Sequence, residues 1–193
     1  MAERTPVAEE PLVPGDTTPW AKARARLETP ERDRTYWLAT VGPDGRPHVR
    51  PILGLWLDDA FYFVTGETTS KVKNLHANPR CVLTASSLAL PALDVIVEGD
   101  ASKVTDHNKI QQVVDACASK LHWPLTVRDG GVVGPNALTA GPPPYALFEL
   151  TPTTVLGLPG IPGTEEGEGA AGSFSLTRWR FRAATDTSAA STP

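Results

Sequence analysis

Two tight-turn signals, set one strand-length apart, constrain this chain more than any other feature. Gly42-Pro43-Asp44-Gly45 is a turn because Pro presets φ and an Asp-Gly pair tolerates positive φ. Asp58-Asp59 is the second. They punctuate three extended runs, residues 35–41, 48–58 and 60–65, which are rich in Val, Ile, Leu and aromatic residues. Three such runs joined by two short connections make an antiparallel meander. A parallel βαβ sheet needs long crossovers instead.

The period then changes. Residues 70–78 read as a short helix, with Val72 and Leu75 three apart and Asn78-Pro79 as the stop. Strands follow at 80–85 and 92–104. Asp106 then caps a helix carrying Ile110, Val113, Val114, Cys117 and Leu121 on one face. A Pro/Gly-rich connection, 123–144, has a length that often carries function. Further strands are expected at 145–150, 153–158 and 174–181, the last two separated by an acidic Gly-rich loop at 159–172. Upstream, Trp20, Ala23 and Leu27 fit a two-turn helix that starts near Thr18 and ends at Pro30. The sum is seven or eight strands and two or three helices: a mainly β (α+β) chain, a small antiparallel barrel with helices over its openings.

Composition narrows the function classes. A length of 193 residues suits one domain, and 19 prolines point to tails and turns. Residues 1–18 hold few large apolar side chains and 183–193 are Ala, Ser and Thr for the most part, so both read as disordered tails, leaving 19–182 as the barrel domain. A net charge of −4 argues against nucleic acid as a partner. No apolar run approaches the ~20 residues of a membrane span, and the first 19 residues lack the apolar core of a secretory signal. The expectation is a cytoplasmic protein. Cys81 and Cys117 sit in apolar patterns and read as core. His48, His76, His107 and His122 lack ligand spacing, so no metal is expected. Gly167-Glu168-Gly169-Ala170-Ala171-Gly172 matches G-x-G-x-x-G by letters only. A Gly/Pro/Glu loop precedes it where a strand is required.

The informative segment is Thr65-Gly66-Glu67-Thr68-Thr69-Ser70-Lys71-Val72-Lys73-Asn74-Leu75, with Arg80 after it. From 67 to 80 it holds three cations and one acid, in an acidic protein. Hydroxyls, free N–H groups and a lysine at a helix start form a phosphate cradle. The same residues also suit a solvated helix with Thr69 or Ser70 as its N-cap.

The order DGRPHVRPI, eight residues, then FYFVTGETTSKVKNLHANPR resembles the pyridoxamine 5′-phosphate oxidase-like flavoproteins. It is most similar to their actinobacterial branch of flavin/deazaflavin oxidoreductases. DVIVEG at 94–99 and TRWRF at 177–181 extend the resemblance across the body of the chain. The resemblance implies a six-stranded split β-barrel, a homodimer with cofactor sites at the subunit interface, and a small-molecule substrate. The implied activity is an F420H2-dependent reductase passing a hydride to an electron-poor substrate. FMN is the alternative cofactor, and a non-catalytic flavin, F420 or haem carrier the alternative role. Lys71 then stands where the family's phosphate-binding lysine stands, with Thr69 and Ser70 supplying hydroxyls. Lys73 and Asn74 follow. Arg50, Pro51 and Ile52 lie on the strand along the cofactor ring, and Thr65 and Gly66 end the next strand near the phosphate. Arg178 and Trp179 are expected to close the ring pocket of the other subunit. Lys73, Arg46, Arg80 and Arg178 are candidates for a basic rim around the longer F420 tail. No catalytic residue is assigned. His48 and Tyr36 are candidates for the proton donor.

Overall fold

The computed structural model describes residues 4–29, 35–86, 92–135, 141–159 and 174–182. In chain order its elements are β1 (Ala8–Pro11), α1 (Trp20–Glu28), β2 (Tyr36–Val41), β3 (Pro47–Ile52), β4 (Gly54–Leu57), β5 (Ala60–Gly66) and α2 (Ser70–Ala77). Then come β6 (Arg80–Ala85), β7 (Leu93–Lys103), α3 (His107–Leu121), β8 (Thr126–Arg128), β9 (Gly131–Val133), β10 (Tyr145–Pro159) and β11 (Thr177–Arg180).

All pairings are antiparallel. β3 and β4 form one extended run interrupted at Leu53. β3 pairs with β2, and β4 pairs with β5. From β5 the ladder passes to β10, β7, β6 and back to β2. Six runs therefore close a ring, split where β3 leaves β5. Both turns of the meander form as the sequence predicts. Asp58 and Asp59 take φ of 50° and 62°, the left-handed pair of a two-residue hairpin. Gly45 takes φ of 80° in the β2–β3 turn.

The expectation of separate strands at 145–150 and 153–158 is corrected. They are one strand, β10, whose register against β7 shifts between Pro152 and Thr154. Pro152 lacks an N–H for the ladder and sits at that irregularity instead of ending the strand. The connection at 123–144 also holds the small hairpin of β8 and β9.

The barrel interior is filled by Leu38, Trp56, Phe61, Phe63, Leu83, Val97, Phe148, Leu150 and Trp179. The apolar faces of α1 (Trp20, Ala23, Leu27) and α2 (Val72, Leu75) pack onto it. Outside the ring, Tyr62, Val64 and Leu147 meet Ile110, Val113 and Cys117 of α3. β5 is buried on both faces, so its alternating side chains serve two cores. Asp106 caps α3 by accepting the Lys109 N–H at 2.7 Å, as predicted.

The expected disorder of residues 1–18 does not hold for the residues described. β1 adds to the sheet edge along β11. Glu9 Oε1 accepts the Trp20 N–H at 2.9 Å, and Glu10 faces Arg180 at 3.1 Å and Arg178 at 3.6 Å. Thr18 is buried, its N–H donating to Thr177 Oγ1 at 2.8 Å. Backbone pairing and these long-range bonds order a segment whose own apolar content is too low to do so. The expected tail at 183–193 and the Gly-rich loop at 167–172 lie outside the described residues. Deleting residues 1–17 removes six long-range hydrogen bonds of Arg4, Val7, Glu9, Glu10 and Leu12 besides the β1 ladder, and at ~0.5 kcal/mol for each of the six, the low end for part-exposed bonds, should cost at least about 3 kcal/mol. Thermal melts should show Tm falling by roughly 6–12 °C; an unchanged Tm would mean β1 is not part of the folded domain.

Candidate functional site

The split in the ring carries a pocket of about 400 Å³ lined by Arg50, Pro51, Thr68, Thr69, Ser70 and Lys71. β3 supplies one wall, and the loop from β5 into α2 supplies the other. Lys71 is only 9% exposed. Its Nζ makes one hydrogen bond, to Thr65 Oγ1 at 3.2 Å. No carboxylate among the described residues pairs with it. Glu67, in the same loop, pairs with Lys103. Burial lowers the Lys71 pKa, and the neighbouring Arg50 guanidinium lowers it further. Two cations thus share a pocket without an acid.

The start of α2 is not capped by a side chain. The Thr69 hydroxyl donates backwards to Gly66 O at 2.9 Å and lies 3.2 Å from Thr65 Oγ1. The solvated, capped helix that the sequence left open is therefore not what forms. The Thr69 N–H reaches Gly66 O at 3.2 Å. Among the described residues, the N–H groups of Thr68, Ser70 and Lys71 meet no protein acceptor. An uncapped helix start with a buried ammonium and a guanidinium beside it has the chemistry that suits an anion.

The other predicted positions separate into two groups. Lys73 is exposed on α2, one turn-face away from Lys71. Ile52 buries its side chain in the barrel, so only its backbone can face a ligand. Gly66 ends β5 and serves as the acceptor for Thr69. Asn74 does not face the pocket. Its buried amide donates to Thr40 Oγ1 at 3.0 Å and lies 3.3 Å from His48 Nδ1, tying α2 to β2 and β3. The notion of His48 or Tyr36 as proton donor finds no support, since neither lines the pocket. His48 is engaged by Asn74, and the Tyr36 ring packs on Phe61 with centroids 4.5 Å apart.

Trp179 requires a correction. It is wholly buried, 5.5 Å from the Trp20 ring, and its Nε1–H donates to Thr18 O at 2.9 Å. A Cβ on Gly157 would come within 2.6 Å of its ring, so β10 leaves that space for it. A side chain spent this way cannot close another subunit's pocket. Arg178 is half-buried and lies 3.6 Å from Glu10. Both thiols are core groups, as predicted: burial pushes Cys81 and Cys117 up to about 12. Among the described residues no cluster of His, Cys, Asp or Glu suits a metal ion, and no helix is long and apolar enough to cross a membrane.

Residues 21–158 match the sequence profile of the pyridoxamine 5′-phosphate oxidase family. The chain belongs to that family. A pyridoxine/pyridoxamine 5′-phosphate oxidase of Rhodopseudomonas palustris is 28% identical over 181 residues, covering 80% of this chain and 85% of that protein. The enzyme of the same name from Azorhizobium caulinodans is 33% identical over 117 residues, 55% of this chain and 54% of its own length. The chain spans about half or less of the first curated relatives it matches. These relatives are oxidases by name, so the family is one of oxidoreductases. Among solved structures, a heme-binding protein of Mycobacterium smegmatis superposes with a TM-score of 0.55 at 15% identity, over 76% of this chain and 57% of that one. An FAD-binding protein of Mesorhizobium loti gives 0.50 at 22% identity, over 78% and 97%. At these identities the likeness concerns the fold, a mainly antiparallel split barrel.

Two expectations follow from the site. The folded Lys71 amine holds its proton less tightly than the unfolded one. The unfolded state therefore binds more protons below its pKa of ~10.4, and stability from this residue rises with pH up to that value. Lys71→Met should remove that rise. Melts from pH 7 to 10 in which the variant keeps the parent's slope would contradict the burial described. Trp179→Ala should destabilise the fold by roughly 3–5 kcal/mol, measured by urea unfolding; a loss of ligand affinity without loss of stability would return it to the site.

Proposed function

We propose that this chain is an oxidoreductase that holds a phosphate-bearing flavin-type cofactor in the split between β3 and α2. The observation that carries the reading is the buried Lys71 ammonium, paired with no carboxylate among the described residues, at an uncapped helix start beside Arg50. A phosphate there neutralises both cations and takes up the free N–H groups of the loop. Charge-assisted hydrogen bonds of this kind are about twice as strong as neutral ones. The bound ring supplies the hydride chemistry itself. The chain's part is to fix the phosphate end and to lay the ring along β3, where the Ile52 side chain is turned into the barrel and leaves its backbone to the ligand.

FMN and F420 make different demands. The terminal phosphate of FMN is a dianion, which suits two cations and no acid. F420 carries a longer anionic tail and needs a basic rim. Of the four rim candidates, Arg46 faces Asp44 and Arg178 faces Glu10. Lys73 and Arg80 are exposed and support F420H2-dependent reduction of an electron-poor substrate as the second reading. Titration of the purified protein with each cofactor, followed by absorbance and fluorescence, separates the two. Turnover of the bound reduced cofactor separates an enzyme from a carrier. Lys71→Ala should weaken binding of the preferred cofactor ten- to a hundredfold, as expected for one charged hydrogen bond. Arg128→Ala, on the β8 hairpin, is the control. Equal binding by parent and Lys71→Ala would remove the site from this pocket.

The reading includes a homodimer. Trp37 (45% exposed), Val41 (38%), Val49 (47%) and Leu53 (49%) lie along the β2–β3 hairpin and its end, next to Arg50 and Pro51. An apolar face beside a binding pocket suits a second copy that covers both. Light scattering should report a dimer at micromolar concentration; a monomer would overturn this part of the reading.

A further inference from the structure

The hydroxyls behind Lys71 form a chain whose direction is fixed by chemistry. An ammonium only donates, so Thr65 Oγ1 accepts from Lys71 Nζ at 3.2 Å. A carbonyl only accepts, so the Thr69 proton goes to Gly66 O at 2.9 Å. The one proton left for the 3.2 Å contact between the two threonines is that of Thr65. The sequence of bonds is therefore Lys71 to Thr65, Thr65 to Thr69, Thr69 to Gly66. Thr65 is fully buried and does not line the pocket, whereas Thr69 and Lys71 do.

Resting on the anion-site reading above, we propose that Thr65 is a positioning residue. Its hydroxyl holds one N–H of Lys71 and turns the other two toward the pocket. By driving the Thr69 proton onto Gly66, it also removes the Thr69 hydroxyl from the donors a ligand can use. The ligand's donors are then Lys71, Arg50, the Ser70 and Thr68 hydroxyls and the free N–H groups of the loop. Among the described residues Thr65 is also the one acceptor that favours the charged form of this buried amine. The charged groups around it offer no other help. Arg50 on β3 opposes its protonation, Glu67 in the loop is held by Lys103, and Lys73 is a cation on its own helix.

The test uses full-length protein with isotope-labelled lysine. The Lys71 side-chain titration is followed by NMR without ligand and assigned by its loss in Lys71→Met. Binding of inorganic phosphate and of FMN is measured by calorimetry from pH 6 to 10. Thr65→Val keeps the β-branched shape and deletes the acceptor. It should lower the Lys71 titration, move the alkaline fall-off of phosphate affinity to lower pH, and weaken binding at pH 7 by about three- to tenfold, the worth of one such bond. Thr65→Ser should restore all three. A folded Thr65→Val with the parent's Lys71 titration overturns the proposal. Thr69→Val tests the same chain at a half-buried position that does not threaten the fold. It should weaken phosphate binding by less than about threefold, and a larger loss would make Thr69 a ligand donor and overturn the proposal. If the Lys71 titration moves in Thr65→Val but the parent binds no phosphate, FMN or F420, the cofactor reading fails while the positioning role stands.

Discussion

One extended run, from Pro47 to Leu57, is shared by two partners, and the rest of the architecture depends on that division. Its first half satisfies the edge of β2 and its second half the edge of β5. A barrel closes with no long open edge, which is how a small sheet protein avoids pairing with its neighbours. The division point is Leu53, whose carbonyl still receives the Val64 N–H at 3.4 Å. Beyond it β3 and β5 diverge, and the loop into α2 occupies the gap. The pocket is thus a by-product of closing the ring with one bent strand.

The charges at this gap contrast with those elsewhere in the molecule. At the β4–β5 turn, Asp59 faces Arg24 at 3.2 Å and accepts the Arg4 N–H at 3.0 Å. Asp58 takes Lys109 at 3.0 Å and Gln112 at 2.8 Å. Tyr62 donates to Glu149 at 3.0 Å, and its phenol is held far above the usual range by burial and that carboxylate. These groups are matched within the chain. Among the described residues Lys71 and Arg50 have no such carboxylate, and burying a cation such as Lys71 without a partner is costly. That contrast, two like charges together where the other described charges are matched, is what the proposed anion would resolve.

Much of this was legible in the residues. The Asp58-Asp59 turn, the Asp106 cap and the stop at Asn78-Pro79 are local signals, and each formed where the sequence placed it. Lys71 with Ser70 was legible as a cradle, and Arg50 joined it through the resemblance. What local pattern could not show was direction. Thr69 looked like a ligand or a cap, yet its proton runs inward to Gly66. Asn74 looked like a ligand, yet its amide is used to fasten α2 to the sheet. Residues 145–150 and 153–158 looked like two strands, because a long strand that absorbs Pro152 at a register shift differs from two short strands only in its partners. The Thr65–Thr69 pairing had no sequence signal beyond a spacing of four residues.

β1 carries a consequence for how this protein behaves in bulk. β11 bears the sequence TRWR and would be the last strand of the sheet, with a row of backbone donors and acceptors facing water. β1 covers that row with a short strand whose Glu10 meets Arg178 and Arg180 and whose last residue is proline. A short, charged, proline-ended outer strand is a poor template for another chain. The segment Ala8–Pro11 therefore acts as a colloidal guard. Fusion tags trimmed into it would trade a cleaner N-terminus for a protein that precipitates.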